Sequence, residues 1–517
     1  MNRASMLHNL EKETQWDVVI IGGGATGLGA AVDASNRGYK TLLLEQHDFA
    51  KATSSRSTKL LHGGVRYLAQ GNFKLVFEAL RERGYLLKNA PHISASASFI
   101  IPAYKWWEKP YYAAGLTLYD IMAGKLGLGK TKVLSAKTTL ALLPTLKQTR
   151  LKGGIAYKDG QFDDTRLAIN LAQTAVENGA TVLNYCGVTG LIKNNKKLEA
   201  VIAEDKISGA IFTVKAKIVV NATGIFVDDI MAMDKSGQPP LVTPSQGVHL
   251  VLPKKFFPGE EAMMIPDTSD GRVLFAVPWH ENVVVGTTDT PVQNKLLEPV
   301  ALEAEVAFIL EHFNSYFNVS IARADVLSVF AGLRPLVKIP APKNTSIMPR
   351  DHCIVVSESN LVSITGGKWT TYRKMAEEVI DKAVKIAGLP KKACATQHLK
   401  IHGWTEELNT NEPLSFYGAD WEEIKKLYEE NTAWLALLHP GYCYTRACVI
   451  FALRNEMAMT VEDVLARRTR LLFLDARAAI NAAPRVAILM AKEMDRNQQW
   501  IREQVEEFNL LAKAYLL

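Results

Sequence analysis

The sequence predicts a Rossmann-like α/β domain, interrupted by a mainly antiparallel β domain and followed by an all-α C-terminal domain. Three observations carry this. Residues 17–29 read DVVIIGGGATGLG, an apolar run that breaks into Gly22-x-Gly24-x-x-Gly27 and then into small residues. Residues 248–285 alternate apolar and polar positions, with turn signals at Asp270-Gly271 and His280-Glu281. From about Pro390 the chain turns to Ala, Leu, Glu and Arg, a helical composition.

The first segment reads as a buried strand over Val18–Ile21, a tight turn, and a helix through 28–34. Gly22 permits the turn, Gly24 lets backbone amides approach a pyrophosphate, and Gly27 lets helix and strand pack closely. All three are expected to face the pyrophosphate, on the positive end of the helix. A second strand, Thr41–Leu44, ends at Glu45, which is 23 residues after Gly22. A carboxylate there suits the ribose hydroxyls of an adenine nucleotide and repels a 2′-phosphate. The pattern alone does not separate NAD from FAD.

At 517 residues the chain has room for two or three domains with a large core. A hydrophobic content of 48% describes a folded globular protein, which excludes a disordered one. The net charge of +7 is mild. It fits an anionic substrate or a membrane surface and is too diffuse for nucleic acid. Cys186, Cys353, Cys394, Cys443 and Cys448 are scattered, with neither a CxxC pair nor metal-ligand spacing. No metal site is expected, and reduced thiols in a cytosolic compartment are the default. Residues 1–16 lack the apolar core of a signal peptide, and no run of apolar residues is long enough to span a bilayer.

Between the first and last segments, helices are expected over 72–89, 163–179 and 370–386. Strands are expected over 180–185, 217–221 and 361–364. A basic, hydroxyl-rich loop, TSSRSTKLLHGG, occupies 53–64. The nucleotide-binding domain is therefore discontinuous, at 16–92, 150–240 and 345–388. The substrate-binding domain takes 93–149 and 241–344, and the helical C-terminal domain 389–517. A second GxGxxG after a strand is absent from the sequence. Enzymes that move electrons from a pyridine nucleotide through a flavin often carry two, so a tightly held FAD with another acceptor is favoured.

Several blocks in order resemble the FAD-dependent, quinone-linked glycerol-3-phosphate dehydrogenase family. They are residues 22–68 (GGGATGLGAAVDASNRGYKTLLLEQHDFAKATSSRSTKLLHGGVRYL), NATGIFVD at 221–228, SQGVHLVL at 245–252, and FAVPW at 275–279. VGTTDT at 285–290, AGLRPL at 331–336, PRDH at 349–352 and GGKWTTYRKMAEEVID at 366–381 continue the series. VEDVLARRTRLLFLDARAA at 461–479 is similar to the family's C-terminal signature. The resemblance implies an α/β FAD-binding Rossmann-like domain with an inserted mainly antiparallel β substrate domain and an all-α C-terminal domain. It implies oxidation of sn-glycerol 3-phosphate to dihydroxyacetone phosphate with FAD as hydride acceptor, and reoxidation by membrane quinone. A related oxidase branch uses oxygen, but it typically carries an added central segment for which this length leaves little room.

Arg66, Arg334 and Arg350 suit a phosphate because a guanidinium binds its oxygens bidentately, and the resemblance implies that Arg334 and Arg350 are the phosphate ligands. Arg66 and Tyr67 are expected to orient the substrate, and Lys368 adds a cation. His249 is a candidate general base, or a neutral hydrogen-bonded histidine. Lys368 is the other candidate, as a group stabilising a developing alkoxide. For the cofactor, Ser57 and Thr58 supply donors. His62, Gly63 and Gly64 are expected to let backbone approach the flavin, the resemblance implies that Val188 meets the adenine, and Gly224 lies in the matching ATG turn. Gly366, Gly367 and Thr370 open a helix toward flavin N1 and O2. No compensating acid is identified beside these cations.

Trp106, Trp107, Tyr111 and Tyr112, with Lys105, Lys109, Lys125 and Lys130 around an apolar segment, fit a helix lying in a membrane interface or a core helix with a basic edge. Arg467, Arg468 and Arg470 are expected on a solvated helix face. The expected location is cytoplasmic, peripheral on the inner face of the cell membrane. The expected partners are sn-glycerol 3-phosphate, a membrane quinone and the membrane surface, with a homodimer allowed and nucleic acid excluded. Competing readings are a D-amino-acid or glycine-type FAD oxidase, and a flavin-binding scaffold without turnover.

Overall fold

The computed structural model describes residues 1–65, 68, 71–338, 352–409 and 412–517. Two large sheets organise the first three-quarters of the chain. The first is ordered His352–Val356, Val362–Gly366, Ile211–Asn221, Trp16–Ile21, Thr41–Leu44, Thr181–Leu183. All neighbours along it are parallel except the first pair. Its central strand is buried on both faces, which is why Val18–Ile21 reads as an unbroken apolar run. Val18 and Ile20 join a cluster with Leu28 of Ala25–Asn36, Leu167 of Asp164–Glu177 and Val379 of Tyr372–Ala387. Val19 and Ile21 face the other way, toward Met6 and Leu10 of Arg3–Lys12 and Val201 of Lys197–Asp205. That second face is covered by an antiparallel meander of Cys186–Asn194, Lys197–Asp205 and the first half of Ile211–Asn221. The expected helices are in place, with Asn72 and Asp163 as N-caps accepting from the amides of Leu75 and Arg166.

The second sheet runs Thr290–Pro291, Val242–Pro253, Asn282–Gly286, Leu274–Trp279, Ala262–Ile265, Ser94–Ala103, Gly153–Phe162, Leu60–Leu61. Ser328–Val337 pairs with Val242–Pro253 over ten residues, and Lys132–Leu134 with Gly153–Phe162. Among the described residues only the Ala262–Ile265 and Ser94–Ala103 pair is parallel, so the sheet is mainly antiparallel. The domain boundaries differ from the sequence reading at two places. Gly153–Phe162, assigned to the nucleotide domain, pairs with Ser94–Ala103 along its full length, and Leu60–Leu61 joins its far edge. Its glycines, Gly153, Gly154 and Gly160, blur the alternation that would have marked it as part of this sheet.

The C-terminal region is helical, with Trp421–Glu430, Arg446–Asn455, Ala476–Glu493 and Gln498–Ala512 as its main elements. It shares one continuous core with the nucleotide domain. The expectation of a solvated arginine face fails here. Arg467, Arg468 and Arg470 are 2%, 0% and 0% exposed. Residues 463–468 form a π-helical turn, a wider register that shifts the order in which side chains meet the interior. Arg467 pairs with Glu462 and Asp463 at 2.6 Å each, Arg468 with both oxygens of Asp48, and Arg470 with Asp163 at 2.8 Å. Burial works to raise the Asp48 carboxyl, but Arg468 and Arg467 hold it down at about 2.

Candidate functional site

A cleft of about 1380 Å³ of atom-free space, its mouth included, opens at the carboxyl ends of the parallel strands. This is where open α/β sheets bind ligands. Gly22, Gly24, Glu45, Val188, Gly224, Gly366, Gly367 and Lys368 line it. Gly22 adopts φ +112°, a left-handed value reserved for glycine, where the strand ends and the turn begins. Gly24 caps the Ala25–Asn36 helix and presents its N-terminus to the cleft. Glu45 accepts from the amides of Gly23 at 2.6 Å and His47 at 2.8 Å. Burial pushes its carboxyl up against those two bonds, which pull it down.

Other expected cofactor residues lie elsewhere. Gly27 packs against the strand end, where a Cβ would stand 1.9 Å from the Gly22 carbonyl oxygen. It serves helix–strand approach and does not line the cleft. Ser57 and Thr58 are turned away: Ser57 Oγ donates to Asp164 at 2.6 Å, and Thr58 Oγ1 meets His249 Nε2 at 2.8 Å. A short 3₁₀ turn at Thr53–Ser55 directs Thr53 and Ser54 into the cleft instead, and the chain then departs for the second sheet at Leu60. Ser54 Oγ accepts the Ala25 amide at 2.9 Å, and its carbonyl accepts from Trp369 Nε1 at 2.8 Å. The hydroxyl-rich loop reaches the cleft through Thr53 and Ser54, four positions before the expected Ser57 and Thr58.

The Gly63 amide donates to the Tyr119 hydroxyl at 2.7 Å, so it is not available to a ligand. His62, Gly63 and Gly64 are absent from the cleft wall, and so is Thr370, buried in the turn that precedes Tyr372–Ala387. Trp369 and Met375 line the wall at that end and were not foreseen.

The second sheet supplies the cations. His249 lies on Val242–Pro253, opposite Phe330 on one side and Gly286 on the other. Its ring stacks on Phe330 at 4.9 Å and 16° and is 2% exposed. Burial, reinforced by Arg334 and Lys59, holds its imidazole well below the usual histidine range, so the ring is neutral near pH 7. Arg334, opposite Ser245, donates to the Thr288 carbonyl and the Thr287 hydroxyl, both at 3.0 Å. Asp289 stands 3.6 Å from it. The absence of a compensating acid is therefore corrected: one carboxylate partly offsets Arg334, and the Ser245 hydroxyl donates to that same carboxylate. Pro335, the next residue, and Lys368 both line the cleft. Arg66, Tyr67 and Arg350 lie outside the described residues.

The glycine turn, the half-buried acid at the end of the second strand and the helix N-terminus fit the adenosine and pyrophosphate of FAD. Comparison with known proteins agrees. Residues 17–373 match the FAD-dependent oxidoreductase family, and residues 357–501 match the C-terminal domain of alpha-glycerophosphate oxidase. The protein is thus an FAD-dependent oxidoreductase. The mitochondrial glycerol-3-phosphate dehydrogenase of Mesocricetus auratus is 39% identical over 98% of this chain and 74% of its own length. That of Schizosaccharomyces pombe is 39% identical over 95% of this chain and 86% of its own. The structure of a glycerol-3-phosphate dehydrogenase from Bacillus halodurans with FAD superposes with a TM-score of 0.82 at 29% identity, covering 99% of this chain and 97% of that one. The chain belongs to the FAD-dependent glycerol-3-phosphate dehydrogenase family.

Proposed function

We propose that this enzyme oxidises sn-glycerol 3-phosphate to dihydroxyacetone phosphate and passes the electrons to a membrane quinone. The observation that carries the reading is the position of the cationic strand. Arg334 precedes a cleft-wall residue, Pro335, and Lys368 lies on the wall itself, beside the Gly366-Gly367 turn. Bound FAD supplies the two-electron acceptor for the hydride that leaves C2.

Arg334 grips the substrate phosphate through its planar fork, with Arg350 as the second guanidinium by family resemblance and Arg66 and Tyr67 orienting the carbon chain. The neutral, buried His249 takes the C2 hydroxyl proton as the C–H bond breaks and the carbonyl forms. Lys368 offsets negative charge growing on that oxygen. Val188 and Glu45 hold the adenosine end at a distance from this chemistry.

An apolar face supports delivery to a membrane quinone. On Glu108–Ala123 and just before it, Trp106, Tyr111, Leu118 and Ile121 are 80%, 58%, 41% and 70% exposed. Helical spacing puts Tyr111, Leu118 and Ile121 on one side, with Trp106 in the turn before the helix and Lys105, Lys109 and Lys125 close by in the chain. No helix among the described residues is long and apolar enough to cross a membrane, so contact of this kind would be made from the surface. The test is reoxidation of substrate-reduced enzyme. A quinone analogue should restore the flavin colour much faster than dissolved oxygen. The reverse order would make the protein an oxidase.

A further inference from the structure

We propose that Thr58 is a positioning residue for His249, and that the buried Lys59–Asp164 pair holds it against the imidazole. The inference rests on the reading of His249 as the proton acceptor. Thr58 Oγ1 lies 2.8 Å from His249 Nε2. The other ring nitrogen, Nδ1, is buried and has no hydrogen-bond partner among the described residues. The Thr58 hydroxyl can accept from Nε2–H or donate to Nε2; we assign Nε2–H as the donor because a proton on Nδ1 would be buried with no acceptor among the described residues, so Nδ1 keeps the lone pair that can take a substrate proton. A ring free to present the other tautomer would offer an N–H there and could not act as base.

The residues flanking Thr58 are both tied to one carboxylate. Asp164 accepts the Ser57 amide at 3.1 Å and the Ser57 hydroxyl at 2.6 Å. Lys59 Nζ reaches both Asp164 oxygens at 2.7 Å and the Ser55 carbonyl at 2.8 Å. Lys59 is 1% exposed, adopts φ +63°, and its ammonium stands over the rings of Trp279, Phe330 and Phe473 at 5.0–5.5 Å. A non-glycine residue in the left-handed region persists where its surroundings over-determine it. Phe330, which stacks on His249, meets Phe473 of the C-terminal region at 5.1 Å. The imidazole plane is thus held by Phe330, and the loop that carries Thr58 by the Lys59–Asp164 pair.

The test compares Thr58→Val, which is nearly isosteric but cannot hydrogen-bond, with Thr58→Ser, which can, and runs His249→Asn in parallel. Flavin-loaded enzyme is mixed anaerobically with sn-glycerol 3-phosphate, and three quantities are read: flavin retained, bleaching rate at saturation, and half-saturating substrate. General-base catalysis contributes roughly 10²–10⁴-fold, so Thr58→Val should bleach at least about tenfold more slowly, with flavin content and half-saturation unchanged. Thr58→Ser should return to within about threefold of the wild-type rate. A Thr58→Val enzyme bleaching at the wild-type rate overturns the proposal. So does one that loses flavin, or that changes only in half-saturation, because Thr58 would then be a cofactor or substrate ligand. If His249→Asn is slow while Thr58→Val is normal, this inference alone falls. If His249→Asn is normal, the base reading falls and takes the inference with it.

Discussion

At the scale of single residues, Arg334 shows how a phosphate grip is held ready. Two of its nitrogens are spent on Thr288 and Thr287, and Asp289 nearby keeps its charge partly offset, so the fork is pre-oriented before any substrate arrives. Arg334→Ala should weaken apparent substrate affinity by about 1.5–3 kcal/mol, the range for hydrogen bonds to charged groups, with FAD still bound. The concentration dependence of flavin bleaching reads this, and an unchanged half-saturation would remove Arg334 from the site. Glu45 invites the parallel experiment on the cofactor. Its carboxylate already organises the Gly23 and His47 amides, so Glu45→Ala should lower the flavin retained through gel filtration. Undiminished retention would refute the ribose assignment. The glycine turn and Glu45 were legible because each is a local requirement of chain direction and charge. Ser54 against Ser57 and Thr58 was not. Which hydroxyls of one loop face the cleft depends on a 3₁₀ turn and on a left-handed Lys59, and Asp164, 105 residues further on, holds that lysine.

At the scale of elements, the C-terminal helices are locked to the nucleotide domain by buried charge. Helical composition announced the helices, but the sequence could not say that three arginines would turn inward. Arg467 has local acids in Glu462 and Asp463, but Asp48, which holds Arg468, and Asp163, which holds Arg470, are hundreds of residues away in the chain. Arg468→Met leaves Asp48 and Glu456 buried with less compensation and should cost about 3–5 kcal/mol, the usual price of breaking such a pair. Thermal unfolding reads this, and an unshifted midpoint would contradict it. A second lock titrates. His402 lies between Glu177 at 2.5 Å and Asp420 at 3.0 Å. Burial works to lower its pKa, but Asp420 and Glu177 raise it to about 9. A folded-state pKa above the ordinary 6.5 means this stabilisation is complete at lower pH and fades as pH climbs through about 9. Wild-type melting temperature should therefore fall between pH 7 and pH 10 more steeply than that of His402→Gln. Parallel profiles would show that the contact contributes nothing.

At the scale of the whole molecule, one sheet carries the nucleotide cleft and the other carries His249 and Arg334; neither residue lines that cleft, which Pro335, next to Arg334, does. The two-sheet plan was readable from periodicity: unbroken apolar runs for the doubly covered sheet, alternation for the other. Gly153–Phe162 was misassigned because pairing with Ser94–Ala103, rather than its own pattern, decides its sheet. The same view exposes the aromatic face of Glu108–Ala123. Replacing Trp106, Trp107 and Tyr111 with Ser should release the protein from anionic vesicles in a sedimentation assay; full retention would place the contact elsewhere.

The most direct measurement is the visible absorbance of flavin-loaded enzyme mixed without oxygen with sn-glycerol 3-phosphate, and separately with D-amino acids and glycine. The expected result is bleaching by the phosphate ester alone. Bleaching by an amino acid, with the phosphate ester inert, would contradict the role given to Arg334 and the substrate reading built on it.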